Sequence, residues 1–126
     1  MSAMLEHTNF TVTNPDTTAK WMCDLFDWHI RWSGDGMTTG RTVHVGTDTH
    51  YLALFSYGDT QQNPADTHRY AGGLNHIALV TDDIKAMEAK VRKLGFEPHN
   101  HGDYEPGLRF YFKDNDGIEF EIVQYT

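Results

Sequence analysis

Apolar and polar residues alternate at the start of the chain. Phe10 and Val12 are set off by His7, Asn9 and Thr11, the period of two that gives a strand one apolar and one polar face. Asn14-Pro15 then offers an N-cap and a first helical residue, and the spacing predicts a helix running to about Phe26. Asp27 stands where that helix must end, in a left-handed conformation that Asp tolerates better than most residues. Trp28 to Trp32 alternates again and predicts a strand, with Trp28, Ile30 and Trp32 on one face as core or interface. Gly34-Asp35-Gly36 predicts a turn. Thr42 to Val45 and Tyr51 to Phe55 predict a hairpin about Gly46-Thr47-Asp48.

After a polar stretch the same order recurs. His76 opens a strand to Val80, Asp82-Asp83 starts a helix, and Ile84, Met87, Val91 and Leu94 share one helix face before Gly95. Phe96-Glu97-Pro98 begins a short edge strand, followed by a loop from His99 to Gly107. Leu108 to Phe112 and Ile118 to Gln124 are strands, joined by the tight turn Asp114-Asn115-Asp116-Gly117. Each half therefore reads β-α-β-β-β. The pattern predicts an α+β protein with residues 4–57 as module one, 58–73 as linker and 74–126 as module two. Two such modules in tandem would form a cup-shaped, barrel-like mixed sheet with the helices outside.

Strand phase places chemistry in that cup. Phe120 and Ile122 belong to the apolar face, so Glu119 and Glu121 point the other way. His7 and His76 lie opposite the Phe10 and Leu79 faces. Two imidazoles and one carboxylate from three strands form a divalent-metal ligand set with positions left open. The set suits Fe, Mn, Zn, Ni or Co without choosing among them. A carboxylate between Phe120 and Ile122 is costly unless a cation or hydrogen bonds satisfy it. Arg109 and Tyr111 alternate with Phe110 and Phe112 and so face the cup. They are candidate substrate contacts, Arg109 for an anionic group and Tyr111 as hydrogen-bond donor or weak acid; the alternative is ordinary structural residues. Asn9 shares the His7 face and is a third candidate contact. His44 shares a polar face with Thr42, as a partner of the site or a surface histidine. His29, His50, His68 and His99 read as surface residues.

Bulk properties narrow the partners. A net charge of −8 over 126 residues argues against nucleic acid or an anionic membrane. The 39% hydrophobic content supports a packed core, and the single Cys23 excludes an internal disulfide. With neither a signal-peptide pattern nor an apolar run long enough to span a bilayer, a cytoplasmic protein is expected.

The repeated halves, Leu5-Glu6-His7 and Leu74-Asn75-His76, Lys93-Leu94-Gly95-Phe96, and Asp114-Asn115-Asp116-Gly117 leading to Glu121 resemble the vicinal oxygen chelate superfamily. That superfamily includes glyoxalase I, bleomycin-resistance proteins, fosfomycin-resistance transferases and extradiol dioxygenases. The resemblance spans essentially the whole chain. It implies one domain, a homodimer with cups built within a chain or from swapped halves, and a small-molecule substrate bound through neighbouring oxygens. It implies one divalent ion per site on His7, His76 and Glu121, with Glu121, Tyr111 or His44 taking part in proton transfer. The fourth ligand position of glyoxalase I falls on Ala53, so three protein ligands remain, as in the fosfomycin-transferase and dioxygenase patterns. The superfamily also contains metal-free members that bind and sequester small molecules, which is the alternative reading.

Overall fold

The computed structural model describes residues 1–35, 40–104 and 106–125. Its elements are β1 (His7–Thr11), α1 (Pro15–Phe26), β2 (His29–Asp35), β3 (Arg41–Gly46), β4 (Tyr51–Ser56), β5 (Ile77–Val80), α2 (Ile84–Lys93), β6 (His99–Tyr104), β7 (Gly107–Lys113) and β8 (Glu119–Tyr125). The chain divides into two compact units, Met1–Gln62 and Asn63–Thr126. The fold is α+β, two tandem βαβββ modules. Each unit carries one four-stranded mixed sheet, ordered β1-β4-β3-β2 and β5-β8-β7-β6. The first strand of each module runs parallel to the last, and the other pairings are antiparallel. Among the described residues no helix is long and apolar enough to cross a membrane.

The helices start and stop on local chemistry. Asn14 accepts a hydrogen bond from the Thr17 backbone at 3.1 Å, and Asp83 accepts one from Ala86 at 3.1 Å. Each such cap is worth about 1 kcal/mol. Asp27 takes the left-handed conformation expected of it (φ 57), as does Gly95 (φ 94). In the first unit α1 packs on β3 and β4, burying Ala19, Met22 and Leu25 with Val43, Val45 and Leu54. In the second unit α2 packs on β7 and β8. There the core is Val91, Phe110, Phe112, Phe120 and Ile122, with Phe112 and Phe120 stacked at 5.2 Å. Ile84 and Val91 are buried; Met87 is half-buried and Leu94 exposed.

Three expectations change. The edge strand β6 begins at His99 rather than at Phe96-Glu97-Pro98 and takes up most of the loop expected from His99 to Gly107, with Gly102 opposite Arg109 and Tyr104 opposite Gly107. Its sequence, His99-Asn100-His101-Gly102-Asp103-Tyr104, is polar because it forms a sheet edge, so it lacks the alternation that marks a half-buried strand. The turn placed at Gly34-Asp35-Gly36 is not one at its first two residues. Gly34 and Asp35 continue β2, paired with Thr42 and Arg41, and Gly36 lies outside the described residues. Third, Trp32 does not share a face with Ile30. Ile30 pairs with Val45 and Trp32 with the next residue back, His44. One extra residue, Arg31, bulges between them. A bulge inverts side-chain parity, so Trp32 moves to the His44 face.

The β7–β8 hairpin sets the height of Glu121. Asp114 Oδ1 accepts the backbone N–H groups of Asp116 and Ile118 at 2.9 and 3.0 Å, closing the turn predicted there. At the other end a Cβ on Gly107 would run into the Gln124 backbone, so glycine is needed for the strands to approach. Burial pushes the Asp114 carboxyl up to about 6, against the pull of its two backbone hydrogen bonds. A carboxyl raised in the folded state contributes stability that is full below its unfolded value near 4 and is lost as pH rises through about 6. Asp114→Asn keeps the acceptor oxygen without the charge. It is expected to raise the unfolding free energy at pH 8 by about 1–3 kcal/mol and to leave it unchanged at pH 4. Urea unfolding at the two pH values checks this.

Candidate functional site

In the second unit the polar face of the sheet is built around Glu121. The residue sits on β8 between β5 and β7, opposite Ala78 and Tyr111, and only 6% of it is exposed. Arg109 Nη1 donates to Glu121 Oε2 at 2.8 Å, and His76 Nε2 lies 3.0 Å from Oε1. The Arg109 guanidinium carbon lies 4.7 Å from the centre of the Tyr104 ring. Gly102 makes room for this arrangement, since a Cβ there would clash with Tyr104 and crowd Arg109. Arg109 is held firmly protonated: burial works against its charge, but Tyr104 and Glu121 outweigh it. Burial, and then the charge of Glu121, pushes the Tyr111 hydroxyl up. It therefore stays protonated at neutral pH and serves as a donor. His76 and Tyr111 meet edge to face at 5.8 Å, and His99 also packs on Tyr111, at 6.4 Å.

The hydrogen bonding of His76 bears on what this face can hold. Its Nδ1 is 2.6 Å from Asn75 Oδ1 and its Nε2 faces a carboxylate oxygen. A neutral imidazole has one donor nitrogen, so it can donate to Asn75 through Nδ1 or to Glu121 through Nε2, but not to both. Both contacts are favourable at once only with a positive charge there, either a second proton or a metal ion. The 3.0 Å separation also fits a metal. Two ligands each about 2.1 Å from one ion and at right angles are about 3.0 Å apart. These two donors fit a divalent cation of octahedral habit.

The first unit has the same framework and different chemistry. Asn9 stands opposite Ala53, as Ala78 stands opposite Glu121, so Ala53 holds the Glu121 position with a buried methyl. His7 Nδ1 is 2.9 Å from Glu6 Oε1, and the Tyr51 hydroxyl donates to the same oxygen at 3.3 Å. Rings from four strands form a continuous row. His7 stacks on Tyr51 at 4.8 Å, Tyr51 on His44 at 4.7 Å, and Trp32 packs on His44 at 5.1 Å. Arg31 caps the Tyr51 ring at 4.3 Å and donates to Thr47 O at 3.1 Å. Burial lowers the His44 imidazole, and the charges of His7 and Arg31 lower it further. Its neutral form, able to accept a proton, is the one favoured near pH 7.

The structure thus brings His76, Glu121, Arg109 and Tyr111 together in one unit, and His7 with His44 in the other. Asn9 lies exposed on β1. Among the described residues no group of three His, Cys, Asp or Glu side chains lies close enough to hold a metal. The sequence marks Glu6 and Asn75 only as part of the histidine motifs and Trp32 only as core or interface, none of them as a site residue. The first two have a legible signal, a polar residue immediately before each candidate histidine; Trp32 has none, because the bulge that turns it is invisible in the alternation. His68, read as a surface residue, is half-exposed but reaches Glu119 at 3.3 Å.

A family model for the glyoxalase/bleomycin resistance protein/dioxygenase superfamily matches residues 4–122. The chain belongs to this superfamily. No curated protein matches it in sequence. Solved structures of the superfamily share its fold. One is a glyoxylase/bleomycin resistance protein/dioxygenase domain from Frankia sp. EAN1pec, 20% identical, with a TM-score of 0.81 over 100% of this chain and 93% of that one. A second is TnmS3, an antibiotic binding protein from Streptomyces sp. CB03234, 18% identical, TM-score 0.75, covering 99% and 98%. A third is a variant of the fosfomycin resistance protein FosX from Listeria monocytogenes, complexed with Mn(II) and 1S,2S-dihydroxypropylphosphonic acid. It is 20% identical, with a TM-score of 0.75 over 100% and 95%. The fold is thus shared with a fosfomycin resistance protein complexed with Mn(II) and with an antibiotic binding protein.

In this superfamily member each candidate histidine has its Nδ1 held by the side chain just before it. Such outer partners fix which nitrogen of a ligating histidine carries the lone pair. Asn75→Leu is expected to shift neutral His76 toward the Nε2–H tautomer, which donates to Glu121, read by nitrogen-15 NMR of the ring. An unchanged tautomer would show that Asn75 does not control it.

Proposed function

We propose that the chain is a small divalent-metal-dependent enzyme in which His7, His76 and Glu121 hold one ion, Fe, Mn, Zn, Ni or Co. The observation that supports this most is the His76–Glu121 pair, two candidate ligand atoms 3.0 Å apart, with the other His76 nitrogen engaged by Asn75. A bound ion would supply Lewis acidity toward two neighbouring oxygens of a small substrate. The chain's own residues orient and move protons. Arg109 holds an anionic group, and Tyr111 donates a hydrogen bond from a hydroxyl that does not ionise at neutral pH. Asn9 adds a polar contact, and neutral His44 accepts a proton. The reaction class is that of a glyoxalase-like lyase or isomerase, or of a dioxygenase. The two modules work as one domain, in a homodimer in the cytoplasm.

Metal analysis of protein purified without chelator tests the reading. One divalent ion per chain is expected, and His76→Ala or Glu121→Ala should weaken its binding by at least about 100-fold, more than loss of an outer partner costs. Protein that takes up none of the five metals would refute it.

A second reading is a metal-free module that binds and sequesters a small molecule. It is favoured by one observation, the row of rings ending in Trp32, which is 50% exposed on the His44 face. The fold shared with the antibiotic binding protein TnmS3 is consistent with it. A ligand that stabilises the protein equally with and without EDTA would select this reading.

A further inference from the structure

Glu121 already has a cation. Arg109 Nη1 donates to its Oε2 at 2.8 Å from a side chain that is itself largely buried. A divalent ion on Oε1 would lie close to that guanidinium, and two positive charges sharing one carboxylate oppose each other. The guanidinium is also incompletely satisfied. Arg109 Nε is buried and has no hydrogen-bond partner among the described residues. An unmade hydrogen bond of this kind is destabilising, more so for a charged group. Nε–H lies on the guanidinium edge that grips carboxylate and phosphate-like groups in a two-pronged fashion. Tyr104 covers one face of the guanidinium, and the missing Cβ of Gly102 is what lets Tyr104 and Arg109 pack there. One side chain therefore neutralises the proposed metal ligand and carries a buried, unused donor that an oxyanion would engage once the side chain moves.

We propose that Arg109 is an internal stand-in for the metal ion, released from Glu121 when a carboxylate or tetrahedral oxyanion on the substrate engages its Nε–H edge. The proposal rests on the metal-site reading above and adds to it a substrate class and a coupling. Oxyanion and divalent ion then bind cooperatively, because each relieves a cost the other faces, and linkage makes the effect reciprocal. Substrates would be small oxyanions, and without one Arg109 would hold metal affinity down.

The test is Mn(II) binding by the full chain, read as free Mn(II) by electron paramagnetic resonance. Sulfate serves as a tetrahedral oxyanion and acetate as a carboxylate, at ionic strength matched with sodium chloride and corrected with protein-free titrations. In the wild type, saturating sulfate or acetate is expected to tighten Mn(II) binding about tenfold, within the usual range of allosteric coupling. The stronger of the two identifies the anion. Arg109→Gln is expected to bind Mn(II) more tightly than wild type without oxyanion, to lose the oxyanion response, and to melt at lower temperature when metal-free. Should Arg109→Gln fail to fold, Arg109→Lys keeps a charge but not the two-pronged edge, and should respond less than wild type. Mn(II) binding that ignores both oxyanion and Arg109 overturns this inference and leaves the metal site standing. No Mn(II) binding by the wild type overturns both.

Discussion

A buried carboxylate in the middle of a sheet sets the terms for the second unit. Glu121 has almost no contact with water, and an ionised group so placed is stable only beside positive charge. Arg109 meets that requirement from the neighbouring strand β7, and His76, just before β5, sets its Nε2 against the other carboxylate oxygen. The same strands alternate these groups with Phe110, Phe112, Phe120 and Ile122, all fully buried under α2. A slip of one residue between β7 and β8 would send the carboxylate into the core and phenylalanine to the site. The Asp114–Gly117 turn and the close approach at Gly107 hold the register against that slip. Turn, core and site are therefore one constraint.

The framework and most of the site could be read from the sequence because both depend on strict periodicity. Helix ends came from caps, the repeat from strand phase, and Glu121 from a charge between two core residues. What could not be read breaks the period. Two edge strands each carry one extra residue, between Ile30 and Trp32 in β2 and between His99 and Gly102 in β6. No pattern of hydrophobicity marks either, since edge residues are polar or half-exposed whichever way they point. The consequence was a misplaced Trp32 and a strand taken for a loop. The Arg109–Glu121 pair was hidden for another reason. Their shared face was legible, but that the arginine would reach the carboxylate rather than solvent depends on Gly102 and Tyr104.

The two halves illustrate how a repeat diverges without losing its frame. Backbone pairing is equivalent in both, with Asn9–Ala53 matching Ala78–Glu121. His7 and His76 match, but other side chains on the polar faces differ. Where one half has the carboxylate Glu121 the other has a methyl, and where one has Arg109 the other has Thr42. The first half uses the freed face for a row of aromatic rings, whose half-exposed end is Trp32. Charge is concentrated in one half and flat apolar surface in the other.

The paired bulges have a consequence for behaviour in concentrated solution. Each sheet ends on one side in a strand carrying a bulge, β2 or β6. A bulged edge twists locally and interrupts the even row of N–H and C=O groups that a foreign strand would need, which natural proteins use to discourage amyloid-like stacking. The opposite edges, β1 and β5, are regular but only five and four residues long. Each four-stranded sheet thus offers an invading strand either an irregular margin or a very brief one.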